Sequence, residues 1–346
     1  MRHVKLLTAL VLIVAMLFPY SVVNAYHSPS PADQDDTVES NGYIFHIQTE
    51  ETSNHQVIRS YTLTDEDHPT ARSVPTDTAD RTKALLLAMG WDQEMVDSLS
   101  PDDLQDYASC EQITTTVSYV KENAQGDITY ISEQEAISGS TALSERPEEV
   151  SDVTYTSYMR LTHTVTHYGE AYYRFATDAY WMTMPLNRLK DAIGSCAPTL
   201  AIDSSSRYGY YTCNREYYDF LLGDSFEDTI TGTLTPVTGT PNGDWYGSAG
   251  TFSLPRDVVA DPSYGEYITA LYSDLRVHYE YKAYLRYSDQ ETNFNSVGTY
   301  SHAKIAPAFS PSISIDLGGG VSASIGLSAG ISQDRVSVEL LLHYVP

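Results

Sequence analysis

LRVHYEYKAYLRY, residues 275–287, alternates without a break. Leu275, Val277, Tyr279, Tyr281, Ala283, Leu285 and Tyr287 fall on one side of an extended chain, and Arg276, His278, Glu280, Lys282, Tyr284 and Arg286 on the other. Period two with unlike sides predicts a long β-strand, and the charged side predicts a sheet that faces water on that side.

The same period recurs outward from this stretch. Val153, Tyr155, Met159, Leu161 and Val165 mark one strand, and Tyr173, Phe175, Ala179 and Trp181 continue the pattern after a Tyr168-Gly169-Glu170 turn. Ile113 to Val120 and Ile128 to Ile131 predict a hairpin around Gln125-Gly126-Asp127, and Tyr43 to Ile47 with Val57 to Leu63 predict a pair of strands. Arg207 to Cys213 and Thr229 to Leu234 are further strands. The chain carries 28 tyrosines, a residue that packs its ring on a half-buried pleated surface while its hydroxyl stays wet.

Helical character is concentrated at 77–108. Ala84, Leu85, Leu87, Ala88 and Met89 form an apolar stripe, and Gly90 is placed for a left-handed cap. Asp92 is an N-cap for a short second helix burying Met95, Val96 and Leu99, and Ser100-Pro101-Asp102-Asp103 opens a third. Met184 to Gly194, with Leu186, Leu189 and Ile193 on one side, predicts a short helical crossover, and Thr141 to Ser151 a polar loop.

The C-terminal part reads as a meander, 312–345: Ser312 to Leu317, Val321 to Ser332 and Val336 to Val345, turning at Gly318-Gly319-Gly320 and at Gln333-Asp334. Every odd position from Ile313 to Ile331 is aliphatic or Gly, and every even one is Ser, Gly or Asp. Such a strand pair suits a soluble sheet or a hairpin able to enter lipid. The fold expected from these patterns is mainly β, an antiparallel β-sandwich or stacked long-stranded sheets with a small N-terminal helical cluster. Residues 43–135 hold short strands and the helices, and 136–346 the antiparallel domain.

Residues 1–25 have the basic start, apolar core and small residues before Tyr26 of a secretory signal peptide. A membrane helix needs about 20 apolar residues, and no stretch reaches that, so no stable membrane anchor is expected. Residues 26–42 are polar, acidic and Pro-containing and read as a disordered leader. The net charge is −26, and removal of Arg2 and Lys5 with the signal makes it more negative still. Nucleic acid and anionic lipid surfaces would repel such a chain. Of the three cysteines, Cys196 and Cys213 are the natural disulfide pair for an exported protein, closing a short loop worth about 3 kcal/mol, with Cys110 left over.

Motifs that carry chemistry are weak. Gly223-Asp224-Ser225-Phe226 resembles the G-D-S-L block of a hydrolase family whose Ser is the nucleophile. That resemblance implies an α/β/α domain with a late D-x-x-H pair, whereas Asp274 and His278 stand one residue too far apart. Gly326 to Gly330 matches G-x-S-x-G around Ser328, with Asp334 and His343 following, but a nucleophile elbow needs a strand, a sharp turn and a helix. His163 and His167 share a strand face about 13 Å apart, too far for one metal ion. His278, His302 and His343 share no metal-binding spacing. Asp244-Trp245-Tyr246 and Asp178-Ala179-Tyr180-Trp181 place aromatics beside acids, as a sugar site would, and as ordinary turns and core positions do.

No catalytic, cofactor-binding or metal-ligating residue is assigned from these patterns. The function expected first is that of an exported, non-enzymatic protein acting by surface binding to a protein or glycan, at the cell envelope or in the medium. The second is a β-hairpin pore-former using 312–332, and the third a secreted hydrolase.

Overall fold

The structure is a computed structural model and describes residues 34–63, 75–123, 126–144, 156–185, 188–238, 244–258, 268–286, 291–303, 313–317, 323–327 and 333–344. The signal peptide expected at 1–25 and most of the leader expected at 26–42 lie outside these.

Long alternating segments with one apolar side each must pair and then stack, and they do so as two large antiparallel sheets. The first has eleven strands. Its main path runs β1 (Gln34–Ser40), β2 (Tyr43–Glu51), β3 (Val57–Thr62), β4 (Gln112–Asn123), β6 (Thr156–His167), β7 (Tyr172–Thr183), β14 (Ile268–Leu285), β10 (Tyr208–Asp219) and β11 (Asp224–Thr233). Off that path, β5 (Ile128–Ile131) pairs with β4 and β9 (Leu200–Ile202) with β14. The second sheet has the order β12 (Thr235–Thr238), β13 (Trp245–Ser253), β8 (Lys190–Pro198), β15 (Thr292–Ala303) and β18 (Gln333–Tyr344). The apolar side of 275–287 is buried as the alternation predicts: Leu275, Val277, Tyr279, Tyr281, Ala283 and Leu285 join Met159, Phe175, Trp181, Ile193, Tyr300 and Val338 in the core between the sheets. The fold is mainly β, a stacked antiparallel sandwich.

Three helices, α1 (Pro75–Ala88), α2 (Gln93–Ser98) and α3 (Pro101–Ala108), cover the other side of the large sheet. Their ends follow the sequence signals. The Asp92 carboxylate accepts from the Glu94 and Met95 amides, Ser100 and Asp103 form a capping box, and Gly90 takes φ +95°. The tight turns are also where sequence places them, with Gly126 at φ +83° and Gly169 at φ +90°.

Several expectations are corrected. Gln34–Ser40, expected within the leader, is strand β1, paired in register with β2. A fourth helix, α4 (Glu133–Ser144), occupies the start of the expected 141–151 loop and packs Ala136 against Tyr119 and Ile131. Lys190 to Gly194, expected at the end of a helical crossover, belongs to β8, ladder-bonded to β13 and β15 on its two edges. The C-terminal meander is not formed: β18 pairs with β15, and the two strands before it, β16 (Ile313–Leu317) and β17 (Ala323–Leu327), form a sheet of their own. The turn expected at Gly318-Gly319-Gly320 lies outside the described residues. No Cys196–Cys213 bridge exists, and all three cysteines are unpaired and buried. Cys196 packs with Ala192, Ala249 and Val297, whereas Cys213 packs in the core between the sheets, so the second sheet's own packing separates the thiols.

Candidate functional site

Alternation along β8, β13 and β15 gives the second sheet two sides of different character. One side carries Ile193, Ala197, Phe252, Phe294 and Tyr300 into the intersheet core. The other carries Ala192, Cys196, Ala249, Val297 and Ala303, a layer of small side chains in which none is larger than Val, rimmed by Leu189, Val237 and Trp245. Thr251, Thr299 and Ser301 are buried with them. Gly194 belongs to this layer by necessity, since a Cβ there would lie 2.5 Å from the Ala249 Cα and 2.2 Å from the Ser248 carbonyl oxygen.

A layer so placed, on the side of the sheet away from the sandwich core, would be exposed if nothing covered it. The cover is the hairpin β16–β17, whose second strand runs against β15 and β8. Its register sets Ile313, Ile315 and Leu317 opposite Leu327, Ile325 and Ala323, and Ser314 and Asp316 opposite Gly326 and Ser324. Apolar positions therefore meet apolar ones along the whole pair, and small polar positions meet small polar ones. Among the described residues no ladder joins this hairpin to either large sheet. Backbone donors hold the hairpin to itself. The seat beneath it is built of small residues, which offer little apolar area to bury at about 25 cal/mol per Å².

On the other side of the large sheet the charged row of β14 is divided. Arg276, His278 and Glu280 are buried beneath α2 and α3, which corrects the water-facing side expected there, whereas Lys282 is half-buried and Tyr284 and Arg286 are exposed as the alternation predicts. Arg174 on β7 donates from Nε to Glu280 Oε2 at 2.8 Å, pairs through Nη2 with Asp103 at 3.1 Å and through Nη1 with Asp106 at 3.4 Å, and lies 4.4 Å over the Tyr107 ring. His278 Nδ1 is 2.6 Å from Asp178 Oδ1 and its Nε2 3.2 Å from Glu280 Oε2. Burial opposes the charge on His278, but Asp178 and Glu280 outweigh it and hold the imidazole up at about 10. Burial likewise opposes Glu280, and His278 and Arg174 hold it down to about 2. Arg276 donates to the cap residue Asp92 at 3.1 Å and to Glu94 at 3.0 Å. Every cation here is matched to helix carboxylates or strand partners, so the cluster clamps the helices to the sheet.

Other sequence candidates are accounted for one by one. His163 is fully buried, hydrogen-bonded by Nδ1 to Ala176 O and Thr177 and by Nε2 to Ser296 Oγ at 2.8 Å, and burial pushes it down to about 4. It spans the two sheets, and a Cβ at Gly298 would come within 2.6 Å of it. His167 stacks on Tyr173 with centroids 4.6 Å apart. His302 pairs with Asp191 at 2.9 Å, and Asp191 also accepts from Tyr300, to which Trp181 Nε1 donates at 3.0 Å. Burial opposes the charge on His302, and Asp191 holds it up at about 9. His343 is at the surface beside Glu291 and Asn293.

Ser225 lies on β11 opposite Tyr218, in an antiparallel hairpin turning through Gly223 at φ +72° rather than in an α/β/α layer. Asp274 is engaged by Tyr180 and Asn214. Ser328 lies outside the described residues. The aromatics beside acids are also occupied: Arg276 lies 4.2 Å over Tyr180, Arg286 3.9 Å over Tyr246, Trp181 is in the core, and Trp245 rims the hairpin seat. The seat is not legible in the expected pattern because Ala192 and Gly194 fall within the stretch expected as a helical crossover, with Cys196 just beyond it. Their small size at alternate positions was the available signal.

No family model matches the chain, and no curated protein matches its sequence. Among solved structures it is similar to one titled "Pore forming protein", at 6% identity over 68% of this chain and 96% of that one, with a TM-score of 0.21. It is also similar to Clostridium perfringens delta-toxin, at 7% identity over 86% of this chain and 96% of that one, with a TM-score of 0.16. TM-scores this low establish no common fold. No helix among the described residues is long and apolar enough to cross a membrane, which says nothing of strands.

Proposed function

We propose that the protein permeabilises membranes by moving one β-hairpin, residues 313–327 with their flanks, from its seat on the five-stranded sheet into a bilayer. The observation that carries this reading is that β16 and β17 form a sheet of their own on a small-residue surface. Lifting a central strand from either large sheet breaks two hydrogen-bonded ladders. Lifting this pair breaks none among the described residues.

The sequence of the hairpin suits its destination. Aliphatic or Gly positions at every second residue from Ile313 to Ile331 would face lipid, and Ser, Gly and Asp at the others would face a water-filled lumen. A lone hairpin in lipid would leave two unpaired edges, each unsatisfied backbone group costing several kcal/mol, so insertion requires several copies closing a barrel. A spanning strand takes about 9 to 11 residues. The five-residue strands would therefore lengthen on insertion, one through Ser328 to Ile331 and the other through Phe309 to Ser312, where Pro311 forfeits one ladder donor. Export through the expected signal peptide would deliver such a protein to its target, and surface binding becomes the step before insertion. The hydrolase expectation gains no support from the hairpin setting of Ser225.

Dye-loaded vesicles test the proposal. The wild type is expected to release dye, Ile325→Lys to abolish release because a lipid-facing Lys near the midplane costs about 2–4 kcal/mol in each copy, and Ser324→Lys to retain it. Absence of release by the wild type over a range of pH and lipid would overturn the reading, as would equal release by both variants.

A further inference from the structure

The turn joining β10 to β11 carries three consecutive exposed apolar residues. Phe220, Leu221 and Leu222 are 53%, 71% and 67% exposed. The strands that lead to them are thin in core contacts: Asp224 to Thr229 of β11 is exposed at every position, and β11 is the edge strand of its sheet. Tyr218, Phe226, Ile268 and Leu271 are exposed close by.

We infer that this tip is a docking surface for the interface of a choline-headed, zwitterionic bilayer. The inference deepens the membrane reading above and rests on it for its biological sense, though its chemistry is independent of the hairpin. The side chains are graded as the depth of a bilayer is graded. The apolar Phe220, Leu221 and Leu222 form the turn, and the next layer is aromatic, with Tyr217 stacked on Phe226 at 5.1 Å between centroids and Tyr218 edge-on to Phe220 at 4.7 Å. Behind these comes the Arg215–Asp228 ion pair, with the Arg215 guanidinium 4.9 Å over the Tyr217 ring. Hydrocarbon, then amphipathic rings, then charge is the order in which a bilayer is crossed from inside out, and Tyr collects at its middle zone.

The backbone of the turn is prepared for a drier medium. The Leu221 and Leu222 amides donate to Asp219 Oδ1 at 2.8 and 3.2 Å, and the Gly223 amide to Asp219 O at 2.7 Å. Three successive donors are thus satisfied internally, which lowers the cost of bringing the turn to the edge of the hydrocarbon. Charge decides which lipid. Glu216, Asp219, Asp224, Glu227 and Asp228 surround the tip against Arg215 alone within the two strands. An anionic surface repels that set, while a choline headgroup presents a quaternary ammonium to carboxylates and aromatic faces that attract it. A second copy of the chain would bring a second acidic set against the first, which disfavours self-association through this surface.

Binding and permeabilisation must be read separately. In flotation with phosphatidylcholine vesicles, full-length wild type is expected to float. The doubly substituted Leu221→Asp, Leu222→Asp chain should float at least tenfold less while keeping the wild-type circular dichroism spectrum, since neither side chain is in the core. Ile325→Lys, with its tip intact, should float as the wild type does. Vesicles containing mostly phosphatidylglycerol should bind less than phosphatidylcholine. Wild-type failure to float, or equal flotation of the tip variant, would overturn the docking inference even if dye release occurs. Leucine-dependent flotation without dye release would uphold it and sink the pore reading. A change of wild-type oligomeric state on substituting Leu221 and Leu222 without vesicles would overturn it in favour of a second copy.

Discussion

The two sides of the five-stranded sheet differ in what holds them. Toward the large sheet, Trp181, Tyr279, Tyr281, Tyr300 and Phe175 are all less than 2% exposed and interlock with polar bridges at His163 and Asp191. Toward the hairpin, the largest member of the buried layer is Val297. A Trp or Tyr buries about 150–250 Å² and fixes its neighbours by shape, whereas Ala offers one methyl. The aromatic face is thus fixed by shape, whereas the face beneath the hairpin offers few side-chain atoms to grip.

The largest effect on that contrast is expected on the aromatic side. Trp181→Ala is expected to cost about 3–5 kcal/mol in urea unfolding, from the cavity and the lost donor to Tyr300. A comparable loss, about 3–5 kcal/mol, is expected for Arg174→Ala, which leaves Glu280, Asp103 and Asp106 without their shared cation beneath the helices. On the hairpin side, Val297→Ala should cost only about 1.5 kcal/mol, at about 0.8 kcal/mol for each buried carbon lost. That cost should appear as faster amide exchange of residues 313–327 with little movement of the urea midpoint. Equal shifts from Trp181→Ala and Val297→Ala would erase the contrast.

A smaller effect sharpens it by pH. His278 and His302 are raised to about 10 and about 9, so the stability they contribute is complete below pH 6.5 and is lost as pH rises through those values. Glu280 is lowered to about 2, so its contribution is complete above pH 4.5 and fades as pH falls toward 2. His163 is lowered to about 4, and its contribution fades as pH falls from 6.5 toward 4. Urea midpoints should therefore decline from pH 7 to 10, and His278→Asn should flatten that decline. An unchanged slope in the variant would show that the cluster is not the cause.

Much of this was legible in the chain. The alternation of 275–287 placed six residues in the core, and Asp92, Ser100 and Gly90 announced the helix ends they make. What sequence could not show is what lies over a face: Arg276, His278 and Glu280 on the charged row of β14 are covered by helices encoded far upstream, while Tyr284 and Arg286 stay exposed. β8 departs from the expected crossover because Leu186, Leu189 and Ile193 mimic helical spacing, while its strand character comes from partners on both edges. β18 was misplaced for a related reason. Neighbouring segments usually pair, but among the described residues β17 pairs with β16 alone, and β18 closes on β15. The apolar tip stands in the chain as Phe220-Leu221-Leu222, directly before Gly223-Asp224-Ser225-Phe226, but its exposure follows from an edge strand that sequence does not reveal.

The central claim is that residues 313–327 exchange a small-residue seat for lipid, and single-cysteine fluorescence across them tests it most directly. Burial pushes Cys110 and Cys213 up to about 12 and about 11 and Cys196 higher still, so an environment-sensitive thiol dye should label introduced cysteines at 323 to 327 selectively. On addition of vesicles, dyes at 323, 325 and 327 should shift to the blue and be quenched by lipid-borne quenchers, while those at 324 and 326 remain quenchable from water. A hairpin whose five positions keep their emission when vesicles are bound, or shift together without alternation, would contradict the account.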